Sequence, residues 1–200
     1  MATLASLADD VYILTNRPDL AGETRVSLRK AIFKFHAADT FKRDLLTEDI
    51  DLSVLTPVSP DSFVWSIPIT DFPRFRRPDY LRIVPHEYGD FTEVSAHDIF
   101  DSYRFIKPNI FYISGQALTI RAVCEYQNLT FSYYSYPIVP PVTSDPVISW
   151  ICDEYPDAVI EEAAGTVFKM IGKDDEASRY QTLFAENVAL LRATAVGESV

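Results

Sequence analysis

The chain has 200 residues, 48% of them hydrophobic, which is enough to bury a core either as one domain or as two small lobes. Its formal charge of -11 and pI near 4.6 argue against a surface that wraps nucleic acid, because neutralisation of phosphates by Lys and Arg supplies most of that affinity, and no sequence-specific nucleic acid binding is expected. An acidic wall is nonetheless what a conduit for DNA requires, since phosphate contacts would make the polymer stick.

Two cysteines, Cys124 and Cys152, have no CxxC spacing and fall in different predicted elements, so neither a zinc site nor a disulfide framework is expected. Met1–Asp10 is polar and acidic rather than a signal peptide, and no run of about 18 apolar residues offers a membrane span. A protein made in a cytoplasm, with no membrane partner, is the expectation.

Thr3–Asn16 reads as a helix capped by Thr3, with Leu4, Leu7, Val11 and Leu14 on one stripe. Arg17-Pro18-Asp19 breaks it. A second amphipathic helix runs from about Glu23 to Phe41 with Leu28, Ala31, Ile32, Phe35 and Ala38 inward, while Phe33 and Phe41 widen its apolar surface. That width suits a helix covered on two sides, by its own core and by another helix or a neighbouring subunit.

From Asp44 the pattern turns to short extended pieces punctuated by proline, with strands expected over Asp49–Leu55, Phe63–Ile69 and Tyr80–Val84. Pro57, Pro60 and Pro68 keep them short. The cluster PRFRR places Arg74, Arg76 and Arg77 together in an acidic protein; it is either a solvated loop pairing with local acids or a patch for an acidic partner, since guanidinium forks grip carboxylates bidentately. Glu93–Tyr103 reads as a short helix started by Ser95, with Asp98 as its capping-box acid.

Ile110–Pro137 fits a three-stranded meander. Phe111–Ile113 and Leu118–Val123 flank a Ser114-Gly115-Gln116 turn in which Gly115 can take positive φ, and a second turn at Glu125–Asn128 returns the chain as Leu129–Tyr136. In that last strand Leu129, Phe131 and Tyr133 point to one side, while Thr130, Ser132, Tyr134 and Tyr136 form a tyrosine-rich outer face. Pro137–Pro146 follows as a stiff, extended link.

The remainder reads as a helical hairpin. Val147–Tyr155 begins it, Asp157–Ile171 carries Ile160, Ala163, Ala164, Val167 and Phe168 on a stripe, and Gly172 stops it. Asp174 is expected to cap the last helix, whose inner face holds Ala177, Tyr180, Phe184, Val188 and Leu191, with Ala195–Val200 as a frayed tail.

Three histidines, His36, His86 and His97, are scattered without metal or triad spacing. No GxSxG, HExxH, P-loop or dinucleotide fingerprint occurs. The acid pairs Asp9-Asp10, Glu161-Glu162 and Asp174-Asp175 are neighbours on helices and so point in different directions. Neither an enzyme nor a cofactor or metal is expected.

The fold expected is therefore α+β: a bundle of N-terminal helices (1–43) and a C-terminal helical hairpin with tail (147–200) sharing one core, an antiparallel β meander with a short helix between them (44–137), and a proline-rich link (138–146).

The order of these elements carries a resemblance. YISGQALTI, then LTFSYYSYP, a proline link, and YPDAVIEEAAGTVFKMIGKDDEASRYQTLFAENVALL resemble the head-to-tail adaptor, or connector, proteins of tailed bacteriophages. The matching positions are Tyr112, Ile113, Gly115 and Leu118; Tyr133, Tyr134 and Pro137; Tyr155, Pro156 and Ala163; and Asp174, Asp175 and Tyr180. The likeness spans roughly Tyr80 to Leu191. It implies a virion structural protein in the neck of the particle, forming a homo-oligomeric ring, commonly of twelve copies, between the portal protein and the tail or tail tube, through which DNA passes. A tail-completion or tail-tube-capping protein is the alternative in the same setting, and a small intracellular enzyme with an unrecognised site is the third reading. By analogy with such adaptors the C-terminal residues Val196, Gly197, Glu198, Ser199 and Val200 are candidate portal contacts. Arg74, Arg76, Arg77, Tyr134 and Tyr136 are further interface candidates, because Arg and Tyr concentrate at hot spots.

Overall fold

The computed structural model describes residues 1–58, 63–84, 90–100, 109–122 and 128–197, and the chain divides into two compact units. Pro60, His86, Tyr103, Lys107, Pro108, Val123, Cys124, most of the Glu125–Asn128 turn and the terminal Glu198, Ser199 and Val200 lie outside the described residues. The first unit joins the two ends of the chain, Met1–Asp44 and Tyr136–Val200; the second is the continuous segment Leu45–Ser135. The chain is α+β, with six α-helices among the described residues and two sheets.

In the first unit, α1 (Leu4–Thr15) starts at a capping box between Thr3 and Ser6 and ends on Asn16 in the left-handed conformation, φ 52°. Both ends are thus satisfied by local side-chain chemistry. α2 (Ala21–Ala38) follows a proline-led 3₁₀ turn. After the sheet region come α4 (Trp150–Glu154), α5 (Pro156–Met170) and α6 (Asp174–Gly197). Pro156 occupies the first position of α5, where its missing N–H costs nothing, and Gly172 at φ 75° ends that helix. Asp174 is the first helical residue of α6 rather than its cap, and α6 continues to Gly197, through what reads as a frayed tail in the sequence.

One apolar cluster joins these helices. Leu4, Leu7 and Val11 of α1, Leu28, Ile32 and Phe35 of α2, Val159, Ala163 and Val167 of α5, and Val188 and Leu191 of α6 are all buried in it. Phe41 is buried there too, edge-on to Trp150 at 5.3 Å. The proline-rich segment is not a free spacer but lies along the helices. Val147 N–H donates to the Ala2 carbonyl, Ala5 N–H to that of Thr143, Ile138 pairs with Ile148, and Val139 packs on the cluster.

The second unit holds both sheets. Strands β1 (Leu45–Asp51), β7 (Asn128–Ser135) and β3 (Phe75–Val84) form an antiparallel sheet with β7 central. The other sheet runs β2 (Val64–Pro68), β6 (Ala117–Arg121), β5 (Ile110–Ile113) and β4 (Thr92–Glu93), with β4 parallel to β5. A short helix, α3 (Ala96–Phe100), follows β4.

This arrangement corrects the expected meander. β5 and β6 form its hairpin, but β7 leaves that sheet to pair with β1 on one side and β3 on the other. In β7 Leu129, Phe131 and Tyr133 are fully buried as expected, Leu129 opposite Ile50 and Ile83, Phe131 opposite Leu81 and Tyr133 opposite Leu46 and Pro78, but Ser132, expected on the outer face, is buried too. The β5–β6 turn also differs in its chemistry. Gly115 is not at positive φ. Instead Ser114 closes the turn, its Oγ accepting from the N–H groups of Gln116 and Ala117. β3 begins at Phe75, earlier than expected, and contains Pro78; it tolerates the proline because it is an edge strand with register shifts on either side of that residue. β1 likewise lies earlier than the expected Asp49–Leu55 strand, and the chain turns in a 3₁₀ helix over Leu52–Val54.

Candidate functional site

The exposed face of α2 carries a concentration of positive charge. Arg25, Arg29, Lys30 and Lys34 lie on it against the single acid Glu23, in a chain whose net charge is -11. Between these bases runs an apolar groove of about 560 Å³, floored by Val26, Phe33, Ala37 and Tyr136 and rimmed by Arg29, Lys30 and Lys34. Phe33 meets Tyr136 edge-on at 5.8 Å. The rim is held in place from below. Lys34 Nζ donates to Glu162 Oε1 at 2.6 Å and sits 3.7 Å from the Phe184 ring centroid, while Arg29 donates to the Pro140 carbonyl. Phe33 packs against Tyr136 yet stays 38% exposed beside Val26 at 48%, so apolar surface is left open between the bases of α2.

The predicted interface residues fall into three places. Arg76 and Arg77 come together with Tyr134 in the second unit: Arg77 is the ladder partner of Tyr134, and their guanidinium carbons lie 5.6 and 6.0 Å from its ring centroid. Phe75, Arg76 and Arg77 thus lie on β3, with both guanidinium groups near an aromatic ring, while Pro73 and Arg74 form an exposed turn before the strand. Tyr134 also donates to Asp79 Oδ1 at 3.3 Å, and Arg74 occupies the left-handed region at φ 57° where the chain enters β3. Tyr136 belongs to the first unit and lines the α2 groove, so the expected tyrosine face is divided between the two units. Val196 and Gly197 sit in the last turn of α6.

A second constellation has no counterpart in the sequence reading. His36, on the buried stripe of α2, has Nδ1 at 2.9 and 3.0 Å from the two carboxylate oxygens of Asp44 and Nε2 at 2.9 Å from Ser149 Oγ. Nδ1–H donates to Asp44, and in the neutral ring Nε2 accepts the Ser149 hydroxyl proton. Trp150 Nε1–H donates to Asp44 Oδ1 at 3.0 Å. All three polar side chains are buried. The order of groups is that of a serine hydrolase triad, but the surroundings give the serine another task. Ser149 caps α4, its Oγ accepting the Cys152 N–H, and it has almost no solvent access. The network ties α2, the end of the N-terminal segment and the start of α4 together, satisfying each group that burial would otherwise penalise.

Of the other histidines, His97 is exposed on α3. The acid pairs serve helices: Asp9, Asp10, Asp174 and Asp175 are solvated, Glu161 accepts from Asn187 and Glu162 from Lys34. Burial pushes the Cys152 thiol up to about 11, so its reactive thiolate is scarce at neutral pH. Among the described residues no group of His, Cys, Asp and Glu is placed to hold a metal ion, and no helix is long and apolar enough to cross a membrane.

No protein-family model matches the chain, and no curated protein sequence matches it.

Proposed function

We propose that the protein is a virion structural protein, the head-to-tail adaptor of a tailed bacteriophage, assembling as a ring between portal and tail through which DNA passes. The observation that carries this reading is the ordered set of sequence features resembling that family, now referred to its elements: the Ser114-Gly115 hairpin of β5 and β6, Tyr133-Tyr134 on β7, Tyr155-Pro156 at the start of α5, and Tyr180 on α6. These positions have structural employment. Pro156 starts a helix, and the Tyr180 ring stacks on Phe168 at 5.6 Å.

Two physical features support the same reading. Both chain ends contribute to one helical unit, in which residues of α1, α2, α5 and α6 share an apolar cluster; in our reading this is the bundle and C-terminal hairpin of an adaptor, a body suited to side-by-side repetition. The strongly acidic chain would let a DNA polymer slide past without adhesion. The partners in this reading are other copies of the chain, the portal and a tail or tail-tube protein, and its place is the neck of the virion. Withholding the chain from an otherwise complete phage assembly tests it: DNA-filled heads that fail to join tails are expected, and normal infectious particles would overturn the reading.

The Ser149–His36–Asp44 distances favour one rival, a small serine hydrolase. A fluorophosphonate probe separates the two. Labelling of Ser149 in the folded chain, abolished by His36→Ala, would support the hydrolase; an unlabelled Ser149 agrees with its enclosed position as a helix cap.

A further inference from the structure

We propose that the α2 groove receives the outer face of α1 from a second copy of this chain. The proposal rests on the ring reading above for its setting, and on the charge and shape of the two helices for its geometry.

α1 contains no Lys or Arg. Its buried side is taken up by Leu4, Leu7, Ala8, Val11 and Thr15, while Leu14, expected on that stripe, is 44% exposed. The opposite side presents two adjacent rows at helical spacing, Ala5-Asp9-Ile13 and Ser6-Asp10-Leu14, all exposed. Ile13 is 77% exposed, an unusual position for an isoleucine beside two aspartates. This face is acidic and apolar, whereas the groove is basic and apolar, with Lys30 between Val26 and Phe33.

The sign of the charge selects the pair. Copies of a chain carrying -11 repel one another over most of their surface, so a self-contact forms where the sign inverts locally. The solvent side of α2 is such a place, and the acidic end of α1 has the apolar residues to fill the groove once the charges are matched. Asp9 and Asp10 then approach Lys30, while Ile13 and Leu14 cover Phe33 and Val26. The donor and acceptor faces are different surfaces of the same unit, so the contact is heterologous when repeated serially and can close into a ring.

The test uses the full chain. Ile13→Cys and Phe33→Cys are made in separate copies, mixed and treated with a short bis-maleimide, with the unsubstituted chain as the control for its native cysteines. In parallel, Lys30→Asp and Asp10→Lys are compared singly and combined by mass measurement across a concentration series. Lys30 is chosen because Lys34 and Arg29 are occupied within their own copy. Cross-linking is expected only in the mixture, each single reversal is expected to raise the concentration needed for assembly about tenfold or more, and the combination is expected to restore it. Rings that form without the cross-link and without response to either reversal would overturn this contact while leaving the adaptor reading intact. Assembly sensitive to Lys30 but not to Asp10 would assign the groove to a different face of the second copy and overturn it too. A cross-linked two-fold dimer would support the contact and overturn the ring, whereas a monomer at every concentration, and beside portal, would overturn both.

Discussion

A Cβ built on Gly165 would lie 2.6 Å from the Cβ of Tyr180, so α5 and α6 approach at a point where α5 has no room for a side chain. The obstacle is the root of the tyrosine, which cannot swing aside. Gly165→Ala gains roughly 1 kcal/mol of helix propensity and loses about 1–3 kcal/mol to overpacking. Net destabilisation is predicted, read as a lower urea midpoint. Gly22→Ala near the start of α2 is the matched control, because nothing lies within 4 Å of its added carbon; that variant should be neutral or slightly more stable.

The buried Asp44 carboxylate accepts from both His36 and Trp150. Asp44→Ala removes one acceptor and leaves the buried His36 donor and the half-buried Trp150 donor unmatched, at a predicted cost of about 3 kcal/mol. Ser149→Ala loses a helix cap and the hydrogen bond to His36, and should cost about 1–2 kcal/mol. Denaturant titration of the two variants, with Trp150 fluorescence as reporter, ranks them; equal and negligible effects would show that the network does not hold the helical unit together.

Cys152 gives a pH dependence with a definite sign. Its thiol is raised by burial from an ordinary value near 9 to about 11, so the folded state holds the proton more tightly than the unfolded chain. The resulting stabilisation is complete below about pH 9 and is lost as pH climbs from 9 toward 11. Stability should therefore fall over that window, and Cys152→Ser or Cys152→Ala should flatten the fall. At pH 8 the Cys152 peptide should resist iodoacetamide in the folded chain and react once urea unfolds it.

Much of the helical unit was legible because its signals are local. Thr3 and Asn16 bracket α1, Pro156 and Gly172 bracket α5, and the stripe from Leu28 to Phe35 marks the inner side of α2. The sheet region was less so. Alternation in Leu129–Tyr133 tells which face is buried but not which strands lie alongside, and the partners of β7 come from Leu45–Asp51 and Phe75–Val84, far away in sequence. The turn at Gly115 misled for a related reason: serine side-chain bonds replaced the expected glycine conformation.

The His36 network was missed altogether, since Ser149 stands 113 residues from its histidine. One signal was available. His36 follows Phe35 and sits four residues after Ile32, on the inward stripe, and a histidine buried there must find polar partners. The groove was partly legible, because Phe33 widens the apolar surface of α2 beyond its inner stripe, although Val26, exposed beside it, gave no such signal. Its basic rim becomes visible as a feature only when Arg29, Lys30 and Lys34 are seen around one depression with Tyr136.

Ring formation at the portal is the central claim, and mass measurement with negative-stain imaging of the chain mixed with purified portal tests it most directly. The adaptor reading predicts a closed annulus seated on the portal, with an added mass near twelve times the 22.7 kDa chain. A chain that stays strictly monomeric beside portal and tail proteins, at every concentration, would contradict it.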